Sequence, residues 1–243
     1  GRVASKKSAV NAIKEIRSYC LEDKFSAYME SRWEDTLKAF LSPFPSSVGK
    51  GQIDFTFSTQ KPIKDMLDMT ALMMCRNPSF DLFGLYSFVG NKLLNPVFSQ
   101  WGNADEAQKA TEQMIRGLWL TEIYRGLFNH KNGFTSEFLS QGLTNLGIII
   151  FRIATETDGS FITSDNPVVF QKMCVTTNRC PNGIYFPLTP QFLLFLGKRT
   201  EGTINDVIFR TVGNNDVREI NRVILNGAQK AIVSTNKHLG YIL

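Results

Sequence analysis

The chain has 243 residues, 43% of them hydrophobic and 20% charged, which are ordinary values for a globular protein long enough to bury a core without staples. Lys and Arg outnumber Asp and Glu by 27 to 22, a formal net charge of +5 that permits attraction to nucleic acid or another anionic partner without demanding it. Four cysteines in no C-x-x-C pair and only two histidines argue against a zinc site, and no run of about 18 apolar residues is present to form a membrane-spanning helix.

The first half reads as helix. In SAVNAIKEIRSYCLED, Ala9, Ala12, Ile13, Ile16 and Cys20 recur at spacings of three and four, the period of one helical stripe. FSAYMESRWEDTLKAFL repeats the pattern through Tyr28, Met29, Trp33, Leu37, Phe40 and Leu41. Two prolines and two glycines then mark residues 42–51 as a loop. A third helix follows, with Ser58 or Thr59 as its cap, a stripe of Ile63, Met66, Leu67, Thr70, Met73 and Met74, and an end at Asn77-Pro78. The methionines suit soft core filling. A fourth helix spans roughly 103–133, with Asp105 and Glu106 in the first turn, where the dipole favours acids.

After about residue 145 the period changes. LGIIIFRIAT, SFITS, PVVF, GIYFPL, QFLLFLG and DVIFRTV are short, β-branched or aromatic, and separated by turn residues. The short spacing favours hairpins over crossovers. A last helix carries Val217, Ile220, Ile224, Leu225 and Ala228 on one side and runs out toward a terminal strand. Helices first and strands later predict a single α+β domain over 1–243. Residues 1–145 are mostly helical, and 146–243 form a mainly antiparallel sheet of five or six strands with a late helix.

Several chemistries are absent as motifs: no G-x-x-x-x-G-K-[ST], no G-x-G-x-x-G after a strand, no G-x-S-x-G and no H-E-x-x-H. His130 sits in the helix-ending NHKNG, where a helix C-terminus accounts for it. The TSDNP segment is the first candidate site. A carboxylate at a strand end is held rigidly beside an accessible loop. Asp165 and Asn166 also suit a turn, and Pro167 keeps Asn166 extended. Glu156, Asp158, Asp165 and Lys172 offer the acids and lysine of a metal-dependent nuclease, in no specific spacing. In FPLTP, Pro187 and Pro190 place the strand at an edge or at its end. Arg76 at a helix end suits either an anion or the helix dipole.

FITSDNPVV, IYFPLTP and VREINRVILNGAQKAIVS, with DMTALMMCRNP upstream, resemble the bacterial domain-of-unknown-function family 4238. Its members carry a TSD-x-P strand-turn, an F/Y-P-L-S/T-P strand, a late helix with an asparagine like Asn221, and a helix ending in Q-x-x-R-T-P. Arg76 and Pro78 match that last motif, and Met73 stands in place of its glutamine. Members typically begin with a His-Tyr-Val-Pro-Gln-like strand. The sequence opens on what reads as the helix after it, so a site using that histidine would be incomplete here. The resemblance implies no activity, but it groups Asp165, Asn166 and Arg76 as one polar cluster.

Two readings follow. In the first, Asp165 is a general base or metal ligand, and Arg76 clamps a phosphate or carboxylate of a nucleic acid or other anionic substrate. A toxin or defence effector would be one setting. In the second, the phenylalanines and an edge-like FPLTP strand form a protein-interaction module. A third role for the cluster is to pin sheet to helix. No cofactor is indicated. Reduced thiols and an amphipathic rather than apolar N-terminus point to the cytoplasm.

Overall fold

The structure, a computed structural model, describes residues 20–45, 51–76, 145–171, 183–199, 202, 203, 205–228 and 230–235, with a few single positions between 100 and 109. Side chains are described from residue 31 onward within this set, except those of Cys75 and Arg76. The stripe of Ala9, Ala12, Ile13 and Ile16, the body of the helix expected over 103–133, His130 and Lys172 all lie outside the described residues. By internal contacts the chain divides into two compact units, Gly1–Pro43 and Phe44–Leu243.

In the first unit, α1 (Cys20–Leu41) runs without a break across the junction of the two expected stripes. No glycine or proline lies between its ends, so nothing in the sequence stops it there. Glu34 and Lys38 pair one turn apart at 2.6 Å, which lowers the carboxyl pKa and raises that of the amine. The helix closes at Ser42, whose N–H donates to Lys38 O at 2.8 Å and whose hydroxyl donates to Ala39 O at 3.2 Å.

The second unit opens with a strand the sequence reading missed, β1 (Gln52–Thr56), and continues into α2 (Lys61–Arg76). The first turn of α2 closes on Gln60, whose carbonyl accepts the Lys64 N–H at 2.9 Å, one residue after the expected caps. From Met66 to Leu72 every residue of α2 is buried, so the helix is buried all round there, with Thr70 donating back to Met66 O at 2.8 Å.

The strands are β2 (Leu146–Ile153), β3 (Thr163–Ser164), β4 (Val169–Gln171), β5 (Gly183–Pro187), β6 (Phe192–Lys198), β7 (Asp206–Val212) and β8 (Ile232–Val233), with α3 (Asn214–Gly227) before the last. Six form one sheet in the order β1-β7-β2-β6-β5-β4, and β3 pairs with β8. The fold is α+β. Every neighbouring pair is antiparallel except β2 and β7, which are parallel. That exception arises because the chain leaving β6 passes the start of β2 before descending as β7. Arg199 secures the crossing: its N–H donates to Asn145 O at 2.8 Å, and its Nε and Nη2 donate to Leu146 O at 3.0 and 2.7 Å. A Cβ on Gly147 would stand 3.3 Å from Arg199 Cα, so the crossing chain lies close on β2.

The FPLTP strand, expected at an edge or ending at its prolines, ends there: β5 closes at Pro187, and it lies between β6 and β4 rather than at the edge of the described sheet. The proline is accommodated because β4 reaches only as far as Tyr185, leaving Pro187 paired with β6 alone.

Register fixes two faces, because side chains alternate along a strand. From one face project Phe151, Ile153, Tyr185, Leu193, Phe195 and Val212, packed with Val217, Ile220 and Ile224 of α3 in one core. From the other project Ile148, Ile150, Leu194, Phe186 and Phe209, all buried. There Phe209 stacks on Phe44 with ring centroids 5.1 Å apart, and Phe55 and Phe57 complete an aromatic cluster.

Candidate functional site

The TSDNP turn is built by its serine. Ser164 Oγ donates to Asn166 O at 2.8 Å and accepts the Asn166 N–H at 3.2 Å, the kind of local side-chain turn expected of Asp165. Asp165 reaches instead toward the end of the described chain. Its Oδ2 accepts the Lys230 N–H at 2.9 Å, and its N–H donates to Ala231 O at 3.2 Å. The residue itself is exposed. Asn166 is 8% exposed and donates through Nδ2 to Gly227 O at 3.0 Å, satisfying a carbonyl at the end of α3. Its Oδ1 is buried with no hydrogen-bond partner.

The segment just upstream is held by Asn221. This side chain is fully buried within the apolar stripe of α3. Its Oδ1 accepts the Ile162 N–H at 3.1 Å and its Nδ2 donates to Ser160 O at 2.9 Å. The FPLTP hairpin joins the same junction, with Pro190 O accepting the Phe161 N–H at 2.8 Å. Within the hairpin, Thr189 Oγ1 takes the N–H groups of Gln191 and Phe192, each at 3.1 Å. The three segments singled out in the sequence therefore meet through hydrogen bonds to backbone groups. Arg76 is the last residue of α2, and its side chain lies outside the described residues, so its expected place beside Asp165 does too.

A second feature lies at the far end of the α3-bearing face. A groove of about 460 Å³ opens over the starts of β2 and β7, with Asp54, Thr56, Ile149, Ile208, Lys198 and Arg199 in its lining. By register Asp54, Ile208, Ile149 and Phe195 share the face that α3 covers farther along. Ile149 and Ile208 are only half-buried, which marks the limit of α3's cover. At the groove wall Asp206 accepts hydrogen bonds from the Thr203 N–H and hydroxyl and from the Thr56 hydroxyl. Those donors, the Thr203 N–H first, hold its carboxyl below the usual range, with a lesser contribution from Arg199. Gly202 makes the preceding turn at φ +80, a left-handed conformation suited to glycine.

The sequence contained signals for half of this groove. Lys198-Arg199 is one of its few basic pairs, and such a pair is ordinarily solvated surface. Asp54 carried no signal, because β1 was not read as a strand.

Fold and junction together define an α+β protein whose mainly antiparallel sheet is locked to a late helix by the TSDNP and FPLTP segments and Asn221. The chain belongs to the family described as Protein of unknown function (DUF4238), whose model matches residues 11–238. No match was found among curated proteins, and none among solved structures. Among the described residues no helix is long and apolar enough to cross a membrane.

Proposed function

We propose that the protein takes a small phosphorylated or otherwise anionic substrate in the groove at the start of β2, at the end that Lys198 and Arg199 line. The observation that carries this reading is the groove itself, which has Lys198 and Arg199 in its lining and lies on a sheet face that α3 leaves open. A cavity of this size suits a metabolite. Arginine and lysine there would supply the charge-assisted hydrogen bonds that a phosphate or carboxylate takes. In this reading Asp165, Asn166 and Asn221 hold the fold together, since their hydrogen bonds run to backbone groups of α3 and its neighbours. Asp165 as general base, with Arg76 as its clamp, remains the competing assignment.

One experiment separates the two. Wild type, Lys198→Glu and Asp165→Ala are assayed side by side, for thermal shift with inorganic phosphate, nucleotides and short RNA, and for turnover of the same panel. The groove reading expects stabilisation by a small anion that Lys198→Glu abolishes and Asp165→Ala preserves. Loss of turnover in Asp165→Ala with its fold intact would move the chemistry back to the turn. Preference for RNA over every small anion would make nucleic acid the substrate. If wild-type expression slows host growth and Lys198→Glu does not, the toxin or defence setting gains support.

A second reading has its own observation. Phe170 on β4, the last strand of the sheet among the described residues, is 50% exposed, and an exposed ring on such a strand is a place for a protein partner.

A further inference from the structure

We infer that Asn226 is a site of spontaneous deamidation, and that its conversion to aspartate and isoaspartate loosens the tie between α3 and the TSDNP turn. Asn226 and Gly227 are the last two residues of α3. Asparagine followed by glycine is the pair in which a backbone nitrogen most readily reaches the side-chain carbonyl carbon, because glycine has no Cβ to obstruct the approach and the freest backbone to make it. Asn226 is exposed, so water reaches the products.

Packing keeps the pair in place. A Cβ on Gly227 would stand 2.5 and 2.8 Å from the two methyl carbons of Val169. Val169 is buried and its branched side chain is stiff, so no larger residue fits at 227 without moving β4. The reaction itself is balanced by water alone. The Gly227 nitrogen attacks Asn226 Cγ and gives up its proton to solvent, the Cγ–Nδ2 bond breaks, and ammonia leaves. Water then opens the succinimide. Attack at Cγ gives aspartate. Attack at the main-chain carbonyl gives isoaspartate, in which the chain runs on through Cβ and Cγ.

A closed helix opposes the first step, because it tilts the side chain toward the N-terminus and away from the following nitrogen. The last turn must open, as helix ends do when they fray. It is held by two bonds: Asn166 Nδ2 donates to Gly227 O at 3.0 Å, and the Ala228 N–H donates to Leu225 O at 3.1 Å. Asn166 is therefore the clamp that slows the reaction, and it is also what the reaction damages. Either product puts a carboxylate at the C-terminus of α3, where the dipole favours cations. Isoaspartate also lengthens the main chain just before the carbonyl that Asn166 holds. That bond is the tie of a buried amide whose Oδ1 makes no hydrogen bond.

The test ages the full chain in mildly alkaline buffer and follows it by mass spectrometry. Trypsin releases residues 223–230, in which Asn226 is the only asparagine, and electron-transfer fragmentation separates aspartate from isoaspartate. The expected result is modification at 226 in the folded protein, slower than in the urea-unfolded chain. Asn166→Ala should speed it about five-fold, the change in opening that one ordinary hydrogen bond controls. Aged wild type should melt below fresh protein, and Asn226→Gln should lose less on ageing. That variant isolates residue 226 from Asn132 and Asn182, the other asparagines before glycine. An unmodified residue 226 in folded protein, while the unfolded chain converts fully, would overturn the proposal. Equal rates in wild type and a folded Asn166→Ala would overturn the clamp. Equal loss of melting temperature in wild type and Asn226→Gln would overturn the loosening, whether or not Asn166→Ala folds.

Discussion

At the scale of single residues, the decisive side chain is Asn221. It is a polar group fully buried in an apolar helix face, a costly position unless every hydrogen bond is made. Here its oxygen and its nitrogen each meet a backbone group of the strand-like 160–162 segment. Replacing it with leucine keeps the branching and the number of side-chain heavy atoms but leaves the Ile162 N–H and the Ser160 carbonyl without the amide. Asn221→Leu should therefore lose about 2–4 kcal/mol, the cost of orphaning two buried backbone groups. Urea denaturation would measure it, and a loss under about 1 kcal/mol would show that water replaces the amide. Of this site the sequence grouped Asp165 and Asn166 with Arg76, and marked Asn221 separately as the asparagine of the late helix. It did not show how they meet, because the partners are backbone atoms of Ser160, Ile162, Gly227 and Lys230 that no residue type announces.

At the scale of elements, the sheet carries an internal device that also escaped the sequence. Gly147, Gly197 and Gly183 fall in one row across β2, β6 and β5. A Cβ on Gly197 would come within 2.7 Å of the Phe195 ring and meet no other atom within 4 Å among its nearest three. A Cβ on Gly183 would meet that ring too, but also the Leu196 carbonyl oxygen at 2.5 Å. The two glycines make room for one ring lying along the sheet, and only Gly183 also faces immovable backbone. Gly197→Ala and Gly183→Ala should each cost about 1–3 kcal/mol through overpacking. Adding Phe195→Leu should recover part of the loss for Gly197→Ala and little for Gly183→Ala, in a double-mutant cycle on denaturation midpoints. Equal recovery would show that the carbonyl gives way. Element identity was largely legible where alternation or an apolar run persisted for five residues or more, as in β2, β6 and β7. It failed at β1, where three of the first four residues are polar or exposed and a loop was expected just before. It was partial at the FPLTP strand, because a proline signals a missing donor without saying which neighbour is missing.

At the scale of the molecule, class and sheet composition followed from the change of period near residue 145, whereas strand order did not. Consecutive strands β6 and β7 are separated by β2, and β1 from far upstream pairs with β7 near the end. Nothing local records such an arrangement, since it depends on the crossing that Arg199 pins. The consequence is a sheet whose two faces carry separate cores: α3 with Tyr185 and Phe195 on one, and the cluster of Phe44, Phe55, Phe57 and Phe209 on the other. Because the same strands supply both cores, damage on one face should be felt on the other. Phe209 is 1% exposed, and truncating a buried phenylalanine to alanine costs about 3–5 kcal/mol, a large share of the roughly 5–15 kcal/mol that holds a domain together. Hydrogen exchange of Phe209→Ala reads the outcome element by element. Cooperative coupling through β7 predicts that α3 and β5 lose protection by the same free energy as β1. Loss confined to β1 and the 44–57 segment would mean that the aromatic cluster opens as a unit of its own, with the α3 core left standing. Ile220→Ala provides the converse test: a cooperative sheet transmits its loss back across β7 to β1.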